Sequence, residues 1–216
     1  CVSRGRSAEL IESGLTIFTP EGPMEMIPGE RYFLIDSEKG PLEEIMCGSC
    51  DVAIVAGKAN STSSLSSIAE DILAENGVAV SIQNGLGNAE IIASRVGWER
   101  VIGGSTTHSS WRDGEGGVHW TGRGSIFLGN MDGSEPDSTT SEFVSLLGEA
   151  GLNPKWSSDI EKEIWKKLMI NVAINPICAI AGVRNGALTQ IPELWVQSLE
   201  AMREAESIAR ASGVDL

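Results

Sequence analysis

Positive charge is in short supply in this chain. Sixteen lysines and arginines stand against thirty aspartates and glutamates, a formal net charge of −14 over 216 residues. So acidic a chain is a poor partner for nucleic acid or an anionic membrane, both of which reward positive fields. An anionic small substrate would need locally placed cations, which gives weight to each lysine or arginine near a pocket. Histidine is nearly absent. His108 and His119 lie far in sequence from the Cys47–Cys50 pair, so a zinc site on that CxxC would lack two ligands, and no metal site is expected. A thioredoxin-type CxxC opens a helix that follows a strand. This one precedes the apolar run DVAIVA, and it reads as structural or incidental. With four cysteines and no evident disulfide framework, a reducing cytoplasm is the expected location. No apolar run reaches the length of a membrane span, and no stretch has the layout of a signal peptide. A G-x-G-x-x-G loop after a strand is missing too. The chain starts without methionine, in mid-pattern, and stops on VDL just past a helix, so it reads as a piece lacking both ends.

What is present alternates. Short β runs and helical stretches follow one another through roughly the first 130 residues, the pattern of a parallel α/β sheet. RYFLID (31–36), DVAIVA (51–56), VAVSIQ (78–83) and RVIGGS (100–105) read as strands. Helices are expected over 7–13, over 62–76 with Gly77 as a stop, and over 88–96. Residues 118–121 and 125–129 suggest two β segments joined as a hairpin at the sheet edge. After the polar loop NMDGSEPDSTT the expectation is helices only, over 140–150, 159–181 and 191–212, with Pro192 in the first turn of the last and Gly213 ending it. The fold class is therefore α/β, a partial Rossmann-type parallel sheet (1–135) followed by an all-helical C-terminal domain (136–216).

Lys167, Asn171 and Asn175 recur every fourth residue in EIWKKLMINVAINPICAI, an otherwise apolar segment. Side chains four apart share a helix face, and a lysine with two amides is costly to bury unpartnered. The stripe should face a polar cavity or a ligand. Pro176 leaves the carbonyl of Val172 without its helical donor, a kink at a pocket wall. Gln83-Asn84-Gly85-Leu86-Gly87-Asn88 lies between a buried strand and a helix, where open α/β sheets bind ligands. An ordinary tight turn explains that motif about as well. Lys58 stands at the equivalent edge of the neighbouring strand, where a surface lysine is the plain alternative. Arg4 follows what reads as a strand end, the place from which an arginine can hold a 2′-phosphate.

Taken together, SIQNGLGNAE, GGSTTHSSWRDG and KLMINVAINPICAIAGVRNGAL resemble the 2-dehydropantoate 2-reductase (ketopantoate reductase) family, over essentially the whole chain. The resemblance implies an NADPH-binding Rossmann domain and a helical substrate domain of the 6-phosphogluconate dehydrogenase C-terminal type. It implies reduction of ketopantoate, a small 2-oxo acid, to pantoate on the route to pantothenate and coenzyme A, and it leaves room for a homodimer. By the same resemblance Lys167 is the catalytic lysine, Asn171, Asn175 and Asn185 contact substrate, and Asn84 touches cofactor and substrate. Lys58, Ser110 and Arg4 then lie along the cofactor, with Arg4 favouring NADPH over NADH. The glycine loop and the late helices of that family are not found in the chain, so weak cofactor binding and impaired turnover are expected of it as written. Two other readings stay open. One is a different two-domain hydroxyacid dehydrogenase, and the other is a non-catalytic remnant of such a reductase.

Overall fold

A computed structural model describes residues 1–19, 22–37, 42 and 46–216. Its centre is a five-stranded sheet in the order β11-β10-β7-β6-β5. The strands β5 (Cys50–Val55), β6 (Leu73–Ser81) and β7 (Val101–Thr106) run parallel, β10 (Ile126–Asn130) is antiparallel to β7, and β11 (Pro154–Trp156) is parallel to β10. Apolar runs without alternation form β7 and the second half of β6, where both faces of the sheet are covered, while the edge strand β5 leaves Ile54 51% exposed. Ala79 points to one face, where α2 (Thr62–Ile72) and α3 (Asn88–Val96) supply Ala69, Ile92 and Val96. Val78 and Val80 point to the other, beneath Phe143, Val144 and Leu147 of α4 (Ser138–Glu149). This alternation is the two-residue period of a pleated strand. Leu128 is fully buried between these groups, and truncating it to alanine would cost roughly 2–5 kcal/mol.

The sequence expectation of a parallel α/β sheet followed by helices holds, with several corrections. The segments around 118–121 and 125–129 do not form a hairpin with each other. β9 (Val118–Gly122) leaves for a second sheet, ordered β3-β2-β9-β8, while β10 joins the central one. In that second sheet β2 (Gly14–Thr19) and β3 (Gly22–Pro28) form the hairpin, and β9 pairs with β2 in parallel and with β8 (Ser109–Arg112) in antiparallel fashion. His119 stacks between Phe18 (centroids 4.7 Å apart) and Trp111 (4.1 Å), and its Nε2 lies 2.9 Å from Asp113 Oδ2. The hydrogen bond with His119 holds the Asp113 carboxyl below its ordinary pKa.

The run RYFLID pairs as a strand only over Ile35–Asp36 (β4), which lies beside β1 (Val2–Ser3) and follows a 3-10 turn at Gly29–Arg31. The helix foreseen over 7–13 is the single turn α1 (Arg6–Glu9). α2 stops at Ile72 rather than at Gly77. Gly77 instead lies inside β6, where a Cβ would come 2.7 Å from the carbonyl oxygen of Cys50. β11 interrupts the supposedly all-helical half. The last two helices are α5 (Ile160–Ala181) and α6 (Pro192–Ala211), and α5 runs on through Pro176. By length and composition α5 could cross a membrane, against the expectation that no run is long enough, because its isoleucines and other apolar residues keep its mean hydropathy at 1.3 despite the lysines and asparagines. It packs on α6, β7 and β10, with Trp165 buried against Ala209 and Val214 and with the buried Ser198 hydroxyl donating to the Ala173 carbonyl at 2.7 Å.

Candidate active site

The parallel strands set the site. β5, β6 and β7 end at one edge, and the loops leaving β5 and β6 carry Lys58 and the Asn84–Gly87 turn. Gly85 (φ 94°) and Gly87 (φ 81°) both occupy the left-handed region, and Gly87 is the N-cap of α3. Only glycine adopts these angles without strain. A Cβ added at either would meet nothing within 4 Å. The space over the turn is thus open, and a ligand can lie directly against the backbone beside the first N–H groups of α3.

Two glycines let α5 reach this turn. Gly103 of β7 would place a Cβ 2.7 Å from Met131 Sδ and 3.3 Å from two Ile160 carbons, and at Gly129 of β10 a Cβ would run into the Ser157 carbonyl and Ile160. The bare backbone at both positions seats Ile160 on the sheet, and Asp159 caps the helix by accepting from the Lys162 N–H at 3.2 Å. From that seat Glu161 and Ile164 line the same small cavity as Gly85, Leu86, Gly87 and Gly104. The polar stripe continues from there. Lys167, Asn171 and Asn175 follow Ile164 at three, seven and eleven residues, along one flank of the helix.

The two adjacent lysines of α5 differ. Lys166 is exposed, and its Nζ donates to Glu163 Oε1 at 2.7 Å. Lys167 is half-buried, has no hydrogen bond or ion pair among the described residues, and has its pKa lowered from 10.5 by burial. Burial disfavours the ammonium relative to the amine, so its proton is easier to give up.

Beyond Lys167 the expected set disperses. Asn171 is half-buried, but Asn175 and Asn185 are exposed, so the stripe expected to face a polar cavity or a ligand opens to solvent from Asn175 onward. The outer flank of α5 is open to solvent at its far end, where Ile180 is 86% exposed. Asn185 opens a short 3-10 turn that packs on α5. Asn84 and Lys58 are exposed at the sheet edge, Ser110 is exposed on β8 of the second sheet, and Arg4 is exposed just past β1. The cavity lining joins the Asn84 turn only to the first turns of α5 and includes none of Lys58, Ser110 or Arg4.

A cavity of about 790 Å³ adjoins the small one and shares Glu90, Met131 and Glu161 with it. Carboxylates of Glu99, Asp132, Glu135 and Asp137 also line it. Neither cavity has a lysine or arginine in its lining, and Glu90 and Glu161 face both, so the open glycine turn beside α5, and not cavity size, marks the site. Sequence reading missed the buried polar side chains Thr62, Gln83 and Asn88, which lie beneath the Lys58 and Asn84 loops. The signal available was a hydroxyl and two amides bracketing otherwise apolar elements.

An open, ligand-accessible glycine turn on a Rossmann-like α/β sheet, followed by a helix with a half-buried unpaired lysine, defines a class of two-part folds with a loop-edge ligand site. The chain belongs to the ketopantoate reductase family. The family model described as ketopantoate reductase PanE/ApbA matches residues 3–133, and the model of its C-terminal part matches 159–216. A 2-dehydropantoate 2-reductase of Archaeoglobus fulgidus is 34% identical over 166 residues, covering 76% of this chain and 54% of that protein. The chain thus spans about half the length of such relatives. Among solved structures, a PanE/ApbA family ketopantoate reductase from Ralstonia eutropha JMP134 superposes with a TM-score of 0.79 at 24% identity, over 99% of this chain and 66% of that one. D-mandelate dehydrogenase with NADH and anilino(oxo)acetate gives 0.81 at 20% identity, over 100% and 67%. These two similarities show the shared fold.

Proposed function

We propose that this protein acts in the NADPH-dependent reduction of 2-dehydropantoate to pantoate, on the route to pantothenate and coenzyme A, as an oxidoreductase on a CH–OH group. The observation that carries the reading is Lys167, half-buried and without a partner among the described residues, on the α5 flank that begins beside the open glycine turn. Family membership supports it. The residues present fit a nicotinamide nucleotide, because Gly85 and Gly87 leave their backbone uncovered at the carboxyl edge of the sheet.

When bound, the nicotinamide supplies hydride to the ketone carbon. The Lys167 ammonium donates a hydrogen bond to the ketone oxygen, stabilises the charge that develops there and delivers the proton that completes the alcohol. Its lowered pKa suits it to give that proton up. Asn171, Asn175 and Asn185 are assigned to hold the substrate's hydroxyl and carboxylate, and Asn84 to contact both ligands. Lys58 and Ser110 are assigned to the cofactor. Arg4, past the end of β1, is assigned to the 2′-phosphate and underlies the choice of NADPH. The nucleotide part takes the sheet and the substrate part the last helices. The division is assigned as 1–135 and 136–216, with α4 and β11 of the second part packing on the central sheet. The expected setting is the cytoplasm.

The likeness to D-mandelate dehydrogenase favours one second reading, an enzyme for a different 2-oxo acid using NADH. The test is consumption of reduced nicotinamide by the full-length protein, with ketopantoate and with an aromatic 2-oxo acid, each with NADPH and NADH. Turnover of ketopantoate with NADPH is expected to exceed the other three pairings. Preference for the aromatic acid with NADH would replace the first reading by the second.

A further inference from the structure

We infer that Thr62, Gln83 and Asn88 form a buried clamp that locks the Lys58 loop to the Asn84–Gly87 turn and so sets nucleotide affinity, an inference that rests on reading those loops as the nucleotide-contacting edge. The three side chains are 0%, 8% and 5% exposed. Gln83 Nε2 donates to the Gly57 carbonyl and to Thr62 Oγ1, both at 2.9 Å. Thr62 Oγ1 in turn lies 2.9 Å from Asn88 Oδ1 and 2.9 Å from the Ala59 carbonyl, so its one proton is shared between two acceptors. Asn88 Nδ2 donates to the carbonyls of Asn84 (3.2 Å) and Gly85 (3.4 Å). The chain of donors therefore holds the carbonyl just before Lys58 at one end and the two carbonyls of the glycine turn at the other.

Thr62 joins the two halves, since Gln83 donates to its hydroxyl and that hydroxyl faces Asn88, while the Gln83–Gly57 bond and the two Asn88 bonds to the turn stand beside it. Among the described residues, Gln83 Oε1 has only the Ser81 hydroxyl, at 3.5 Å. The two loops belong to different βα units whose strands are in register as far as Val55 and Ser81, with the Ile82 N–H donating to the Val55 carbonyl at 3.3 Å, and beyond those roots it is the trio that ties the loops together. Their spacing matters if one ligand is to touch both, since hydrogen bonds inside a buried network are strong and orienting when complete and costly when broken. These are positioning residues, which act on the ligand through the backbone they hold.

The experiment is Thr62→Val in the full-length protein, which removes the hydroxyl and keeps the shape, with Thr62→Ser as the restoring variant and Gln83→Met as a second break. Direct titration with NADPH is expected to show Kd raised about tenfold for the valine and methionine variants and returned to within about threefold by serine. The rate at saturating nucleotide should stay within about twofold of wild type. Amide hydrogen exchange should quicken at Lys58–Ser61 and at Gly85–Asn88 together in Thr62→Val. A lower melting temperature with unchanged Kd would reduce the trio to ordinary packing and overturn the inference. So would faster exchange confined to the loop that holds the substitution. If wild type bound no nicotinamide nucleotide, the functional reading would fall, and with it the affinity half of the inference. Exchange would then still decide the clamp.

Discussion

Replacing Gly129 by alanine tests how α5 is seated. The added Cβ would run into the Ser157 carbonyl and lie 2.9 Å from Ile160 Cβ. Neither atom is the end of a flexible side chain. Both belong to the segment that leads into α5, so the helix start itself must move. Overpacking of this kind costs about 1–3 kcal/mol, and backbone obstruction puts Gly129→Ala at the upper end. At about 2–4 °C per kcal/mol for a chain of this size, the melting temperature should fall by roughly 6–12 °C. Gly103→Ala is the matched comparison. Its nearest obstacle is Met131 Sδ at 2.7 Å, which can swing aside, with Ile160 at 3.3 Å. A cost of about 1 kcal/mol and a fall of roughly 2–4 °C are expected there. Because α5 carries Lys167, the larger shift should also slow turnover, on the order of 10²-fold for a displacement of about 1 Å. Thermal unfolding followed by circular dichroism, paired with steady-state assays, reads both effects. A Gly129→Ala protein that melts with wild type, or a reversed order of the two variants, would refute the reasoning.

Lys167 should also govern pH behaviour. Its folded pKa lies below the ordinary 10.5, so between those two values the unfolded chain binds more protons than the folded one. Stability from this residue therefore rises with pH across that window, and the penalty is fully present below the folded pKa. Lys167→Met should be more stable than wild type at neutral pH and lose the alkaline rise, as melting temperatures against pH would show. Turnover should fall as pH climbs through the lowered pKa, since the amine has no proton to give, and a rate flat into the alkaline range would count against the acid role. Lys166→Ala supplies the control. Its exposed pair with Glu163 is worth at most about 1 kcal/mol, and kcat should match wild type.

Much of the central sheet was legible because Val52–Val55, Val78–Val80 and Val101–Ile102 are short apolar runs, although the first half of β6, with Glu75 and Asn76, read as helix. The glycine turn was legible from Gly85 and Gly87, and α5 from its length and its four-residue polar stripe. The second sheet was not. β2 meets β9 in parallel across most of the first half of the chain, and a pairing that distant leaves no local period to read. β11 has three residues and is a strand only because β10 lies beside it. Thr62 could be read as a helix start, but its use as the hub of a clamp depends on Asn88, twenty-six positions later. The stripe on α5 was visible as spacing. How deeply each member sits is set by tertiary neighbours, so Lys167 came out half-buried while Asn175 stands in solvent.

The most direct measurement is the kinetics of Lys167→Ala in the full-length protein with ketopantoate and NADPH, alongside a direct titration of NADPH. The account predicts kcat reduced by about 10²–10⁴ with nucleotide Kd within about twofold of wild type. A variant that turns over at close to the wild-type rate would contradict it.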